Sequence, residues 1–155
     1  MGIKQQIEDD IKQAMRARNK EVLGTLRMLK ARFQEREVEL RVEHGKDYQL
    51  ADDEAIQAMT TYAKQRRDSI DSFRKGGRDD LADQEQRELE IVQGYLPQQL
   101  DADQLREIVS AAIAEVGPGG PQQMGLVMKA VMPRVQGRAD GKQVSAIVRE
   151  LLADS

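Results

Sequence analysis

No cysteine occurs in this 155-residue chain, which excludes disulfides, thiolate metal ligands and thiol catalysis. Tryptophan is also absent and aromatics reach only 3%, against the aromatic and β-branched content expected of packed sheets. The one histidine, His44, can build neither a metal site nor a Ser–His pair unaided. Ser69, Ser72, Ser110 and Ser145 sit in helical patterns without an evident base, so no nucleophile is visible. No apolar run approaches the roughly 18 residues that a membrane span needs. The start, with Ile3 and Lys4 followed by Gln and acids, lacks the apolar core of a secretory signal, and Gln6 stands where a myristoylation pattern wants Ser or Thr. These absences lead to the expectation of a cytosolic protein with no membrane partner, and no motif asks for a metal or a cofactor.

What is present is helical. Apolar residues at 39% allow a core of Leu, Ile, Val, Met and Ala, while 33% charged residues dress the surface. Ile3, Ile7, Ile11 and Met15 form a first stripe. Asn19 suits the N-cap of a second helix with Val22, Leu26, Leu29, Phe33 and Leu40 inward, ended by Gly45. A third helix is expected from Asp52 to Lys75, with Ile56, Met59, Ala63, Ile70 and Phe73 inward. A fourth, capped by Asp79 or Asp80, reaches Leu96, where Pro97 stops it. Asp101 and Gln104 fit a capping box before the apolar face of Leu105, Val109 and Ala112. After the Gly-Pro break at 117–121, a short helix with Met124, Val127, Met128 and Val131 closes at Pro133. A last helix follows Asp140, with Val144, Ile147, Val148 and Leu151 inward. The expected fold is therefore all-α: a four-helix N-terminal domain, 1–96, and a compact three-helix C-terminal domain, 97–155.

Some charges fall on apolar faces. Arg66 lies between Met59 and Phe73 in helical angle, and Glu85 and Glu88 fall within the stripe of Leu81, Val92 and Leu96. A charge on a core face needs a partner, because burying it alone costs several kcal/mol or shifts its pKa. Arg66 is thus expected to pair with Glu88 or Glu85. The alternative, an acid/base or metal-binding carboxylate pair, lacks further converging ligands.

Net charge is −3, which argues against a strongly basic nucleic-acid binder, yet the cations are clustered. Arg74, Lys75 and Arg78 surround the Gly76–Gly77 turn, and read either as phosphate contacts or as cations on a helix C-terminus. That turn lacks the strand and the Lys-Ser/Thr of a P-loop. Lys129, Arg134, Arg138, Lys142 and Arg149 cluster in the C-terminal part, where Arg138 and Lys142 flank a helix N-terminus able to receive a phosphate. Gly125 suggests close backbone approach.

The stretches Thr25 to Ala31 (TLRMLKA), Arg66 to Arg78 (RRDSIDSFRKGGR), Tyr95 to Leu100 (YLPQQL), Met124 to Met128 (MGLVM) and Gly137 to Lys142 (GRADGK) resemble the YqeY family. The resemblance runs in order along nearly the whole chain. It implies a C-terminal three-helix domain similar to the tail of the B subunit of the tRNA-dependent amidotransferase. In that enzyme the tail contacts the tRNA elbow while chemistry occurs elsewhere, and this chain has no counterpart of the catalytic body. The expectation is a non-catalytic accessory protein for tRNA or another RNA, or for a tRNA-dependent enzyme. Phosphates would be held by Lys129, Arg134, Arg138 and Lys142, extended by Arg74, Lys75 and Arg78. Two alternatives stand beside it: participation in carbon–nitrogen ligation with glutamine as amide donor, and a protein-binding adaptor.

Overall fold

The structure, a computed structural model, describes residues 2–154 and is helical throughout those residues apart from short connections. Seven α-helices follow in order: α1 (Ile3–Arg16), α2 (Lys20–His44), α3 (Asp52–Lys75), α4 (Asp79–Gln93), α5 (Ala102–Val116), α6 (Met124–Val135) and α7 (Gly141–Ala153). The chain divides into two compact units, Met1–Leu96 and Pro97–Ser155, each with its own apolar core.

In the first unit α1 packs on α2, α3 on α4, and α2 touches both α3 and α4. The core gathers Ile7, Leu26, Leu29, Phe33, Met59, Tyr62, Ala63, Ile70, Leu89 and Val92. Asn19 accepts a hydrogen bond from the Val22 N–H and so starts α2; Gly45, at φ +99°, ends it in a conformation costly to any other residue. Met15 departs from its expected stripe and is 52% exposed. A step of four residues advances the helical angle by about 40° beyond a full turn, so Met15 stands about 120° from Ile3. Ala14, seven residues from Ile7, takes the inward place instead.

α4 ends at Gln93, short of the expected Leu96. The Tyr95 and Leu96 N–H groups turn back to the carbonyls of Val92 and Gln93, a tightened final turn that satisfies the last two carbonyls of α4. Neither Asp79 nor Asp80 is the expected cap: Arg78 holds the N-cap position, and both acids lie inside the first turn of α4, on the favourable end of its dipole.

In the second unit α5, α6 and α7 pack pairwise around Leu105, Val109, Ala112, Val127, Val131, Val135, Val144, Val148 and Leu152. The Asp101–Gln104 capping box is formed in both directions. Residues 120–123 make a 3-10 turn within the Gly-Pro break. Pro133 does not close α6, which continues to Val135. In the last turn a proline sacrifices one backbone bond, that to the Lys129 carbonyl, and burial of Val135 against the core offsets it. The buried Gly137, at φ +73°, then reverses the chain so that the Arg138 carbonyl accepts from Leu100 N–H.

Candidate nucleic-acid interface

The sequence places candidate cations in both units, and their partners sort them. In the first unit Arg74 reaches Asp83 at 3.1 Å and Asp79 at 3.7 Å. Arg78 holds Asp80 at 3.3 Å through two nitrogens, and this raises the guanidinium pKa while lowering that of Asp80. Lys75 makes no side-chain hydrogen bond or ion pair among the described residues. Around the Gly76–Gly77 turn, then, two of three cations already face carboxylates.

In the second unit Arg106 bridges α5 to Glu150 of α7, and Arg134 of α6 is tied to Glu115 of α5. Arg138 directs Nε to the neutral Gln98 carbonyl at 3.2 Å and makes no ion pair among the described residues. Arg149 meets only the Ser145 hydroxyl, at 3.4 Å. Lys129 and Lys142 are exposed and have no side-chain hydrogen bond or ion pair among the described residues. Arg138 and Lys142 flank the turn between α6 and α7. Lys129 lies on α6 about 9 Å back from its last residue.

Two local features of this region differ from expectation. The N-terminus of α7 is already occupied in part, because Asp140 accepts from the Lys142 N–H at 3.2 Å. A phosphate there would meet the Lys142 side chain rather than a bare row of N–H groups. Gly125 is exposed, and beyond its chain neighbours and the backbone of its own helix turn nothing among the described residues lies within 4 Å of where a Cβ would sit. No close approach within the chain accounts for it. Its exposed neighbours on α6 are Leu126 (58%), Lys129 and Met132 (38%), a mixed apolar and basic face around an open backbone.

The charges on apolar faces have separate destinations. Arg66 donates from Nη1 to both carboxylate oxygens of Glu85, at 2.9 and 3.2 Å, and its guanidinium lies 5.0 Å from the Tyr62 ring centre. Arg66 and Glu85 are 23% and 17% exposed. Glu88 makes no hydrogen bond or ion pair among the described residues. Burial and the neighbouring Glu85 raise its pKa against the pull of Arg66. The Nε atoms of Arg66 and Arg32 are buried without a hydrogen bond among the described residues.

Sequence reasoning passed over Glu37, whose side chain is only 9% exposed. Its Oε2 accepts from Lys4 of α1 at 2.6 Å and from the Leu50 N–H at 2.9 Å; Oε1 accepts from Arg41 at 2.9 Å. Burial alone would raise this carboxyl's pKa, but the bonds from Lys4 and Leu50 and the two cations outweigh it, and it titrates below the ordinary range. The signal was there: Glu37 lies four residues after Phe33 and three before Leu40, within the inward stripe of α2. Asp10 of α1 likewise accepts from the Tyr95 hydroxyl at 2.6 Å; burial, then this bond, pushes the phenol's pKa far upward. These are ties between elements of the first unit.

A family model described as Yqey-like protein matches residues 4–152. A relative from Pyrenophora tritici-repentis, named altered inheritance of mitochondria protein 41, mitochondrial, is 29% identical over 94% of this chain and 78% of its own length. The protein of that name from Eremothecium gossypii is 34% identical over 58% of this chain and 46% of its own length. The one from Saccharomyces cerevisiae is 28% identical over 72% of this chain and 60% of its own. The chain thus spans about half the length of the second relative and three fifths of the third. These names overturn the cytosolic expectation, since all three relatives are called mitochondrial. That expectation rested on the lack of an apolar span and of a secretory core, and neither bears on import into an organelle. No helix among the described residues is long and apolar enough to cross a membrane.

Proposed function

The chain belongs to the YqeY-like family, and on that premise we propose that it is a non-catalytic accessory protein that binds tRNA through its second unit. Lys129, Arg138 and Lys142 hold backbone phosphates, and the open face at Gly125, Leu126 and Met132 lies against the nucleic acid. The observation that carries this reading is the pairing pattern. Arg106 and Arg134 of the second unit meet carboxylates, whereas Lys129, Arg138 and Lys142 meet none among the described residues. Unpaired cations can exchange their counterions for phosphates, while a paired arginine must first break its bridge. Arg134 is therefore a lesser contributor, as are Arg74 and Arg78. The names of the relatives specify neither a substrate nor a reaction.

The test is tRNA binding by filter retention or fluorescence anisotropy across a salt series. Binding by three phosphate contacts gives a log–log salt slope of about −3, and each lysine removed should lower its magnitude by about 1. The triple variant Lys129→Ala, Arg138→Ala, Lys142→Ala should lose most of the affinity, and Arg134→Ala little of it. Unchanged binding by the triple variant would remove this assignment. Binding without a salt slope would remove the phosphate reading altogether.

A further inference from the structure

The longest helix, α2, has apolar residues on two opposite faces. One face holds Leu26, Leu29, Phe33 and Leu40 in the core of the first unit. The other carries Gly24, Met28, Ala31, Glu35, Val38 and Val42, spaced alternately by four and three residues along an arc of about 80°. That spacing is the seam of a helix pair. Met28 is 47% exposed, Val38 61% and Val42 88%. A β-branched residue on an exposed helix face has neither helix propensity nor burial in its favour, so two of them on one line need a partner to explain them.

We propose that this seam pairs with the same seam on a second copy of the chain, as an antiparallel two-fold helix pair. One register satisfies all six positions. Gly24 lies opposite Val42 of the second copy, Met28 opposite its Val38 and Ala31 opposite its Glu35, and the two-fold repeats each meeting. The smallest residue thus receives the most exposed valine, and each Glu35 meets an alanine. Along one flank, Arg32 lies opposite Glu39 of the second copy, twice. Along the other, Gln34 meets Gln34, and Arg27 meets Arg41, whose charge is already met by Glu37 at 2.9 Å. A parallel pairing fails on charge. It would set Glu35 on Glu35 inside the seam, two like charges desolvated together. Charge complementarity therefore selects a second copy in antiparallel sense. Glu35, which has Arg32 of its own chain 3.6 Å away, keeps the association weak by costing desolvation in the middle of the seam.

Sedimentation velocity of the full chain over a wide concentration range provides the test. The expected result is a reversible monomer–dimer equilibrium. Joint Val38→Glu and Val42→Glu substitution should weaken it by roughly tenfold or more, and Glu35→Leu should strengthen it by a comparable factor. Arg32→Glu should weaken it, and the exchange Arg32→Glu with Glu39→Arg should restore it. These are surface positions, and circular dichroism checks that each variant keeps its helices. A chain that stays monomeric even with Glu35→Leu overturns the proposal, as does a dimer indifferent to the two glutamates. Failure of the charge exchange to restore pairing overturns the antiparallel register. A monomer whose seam takes up an added amphipathic helical peptide would assign this face to a different partner and likewise overturn self-pairing.

Discussion

Replacing Glu37 by Gln keeps the shape of the side chain and removes its charge. The carboxylate closes three contacts at once: Lys4 at 2.6 Å, Arg41 at 2.9 Å and the Leu50 N–H at 2.9 Å. Hydrogen bonds to a charged group contribute about 1.5–3 kcal/mol each where water is excluded. Lys4 and Arg41 are themselves 30% and 34% exposed, so water recovers part of what each loses. Leu50 N–H can still donate to the amide oxygen. The net loss should be about 2 kcal/mol, or roughly 4–8 °C in Tm for a chain of this size. Glu37→Leu also strands a buried N–H, so its loss should rise to about 3–5 kcal/mol. The sign with pH follows from the lowered carboxyl pKa. Its stabilisation is complete above the unfolded-state pKa and is lost as pH falls through the folded value. Thermal unfolding by circular dichroism at neutral pH and at progressively lower pH should show the gap between wild type and Glu37→Gln narrowing in acid. A Gln variant within about 0.5 kcal/mol of wild type at neutral pH, or a gap constant through the acid range, would refute the reasoning.

Three further outcomes are expected. Arg66→Met leaves Glu85 without its ion-pair partner and should lower stability by about 2 kcal/mol, while the proposed tRNA binding stays unchanged; urea unfolding and the binding series read the two separately. Glu88→Gln should do the reverse at neutral pH, raising stability by up to about 1 kcal/mol, because its raised pKa makes the charged form a burden once pH climbs past the folded value. The gain should vanish below the ordinary carboxylate range in a pH series of unfolding curves. Gly125→Ala enters open space on α6 and should stabilise the chain by up to about 1 kcal/mol in thermal unfolding, while weakening tRNA binding if this face meets the nucleic acid.

Most of the helices were legible because period and punctuation agree. Asn19, Gly45 and the Asp101–Gln104 box each mark an end with a side chain or a backbone conformation that serves little else. The ends that slipped, Gln93 instead of Leu96 and Val135 instead of Pro133, both involve proline. A proline removes one donor, and tertiary packing decides how far from it the helix stops. Met15 slipped because a period of four only approximates 3.6 residues per turn, and the error accumulates along α1. The Glu37 knot was visible in the angle of the residue, but its partners are 33 residues before it, four after it and 13 after it. Only the fold brings Lys4 and the Leu50 backbone together there.

For the proposed nucleic-acid face the limit is of another kind. Sequence supplies positions of cations but not which carboxylate each one finds, and that pairing decides how readily a cation binds phosphate. Arg134 and Lys129 look alike in a list of basic residues five apart on one helix. Folding sets Glu115 of α5 against Arg134, whereas Lys129 on the same helix makes no ion pair among the described residues. The same sorting separates Arg78, which closes on Asp80 two residues away, from Lys142, where Asp140 at the same spacing turns to the backbone and the ammonium has no ion pair among the described residues. Asp140 is thus diverted by its capping role, since an N-cap carboxylate spends its acceptor on the helix. Asp140→Asn keeps that cap and removes the negative charge beside Lys142. It should therefore tighten tRNA binding at little change in Tm, whereas Asp140→Ala should cost stability of about 1 kcal/mol. A tRNA affinity that Asp140→Asn leaves unmoved at low salt would mean that the turn between α6 and α7 lies away from the phosphates.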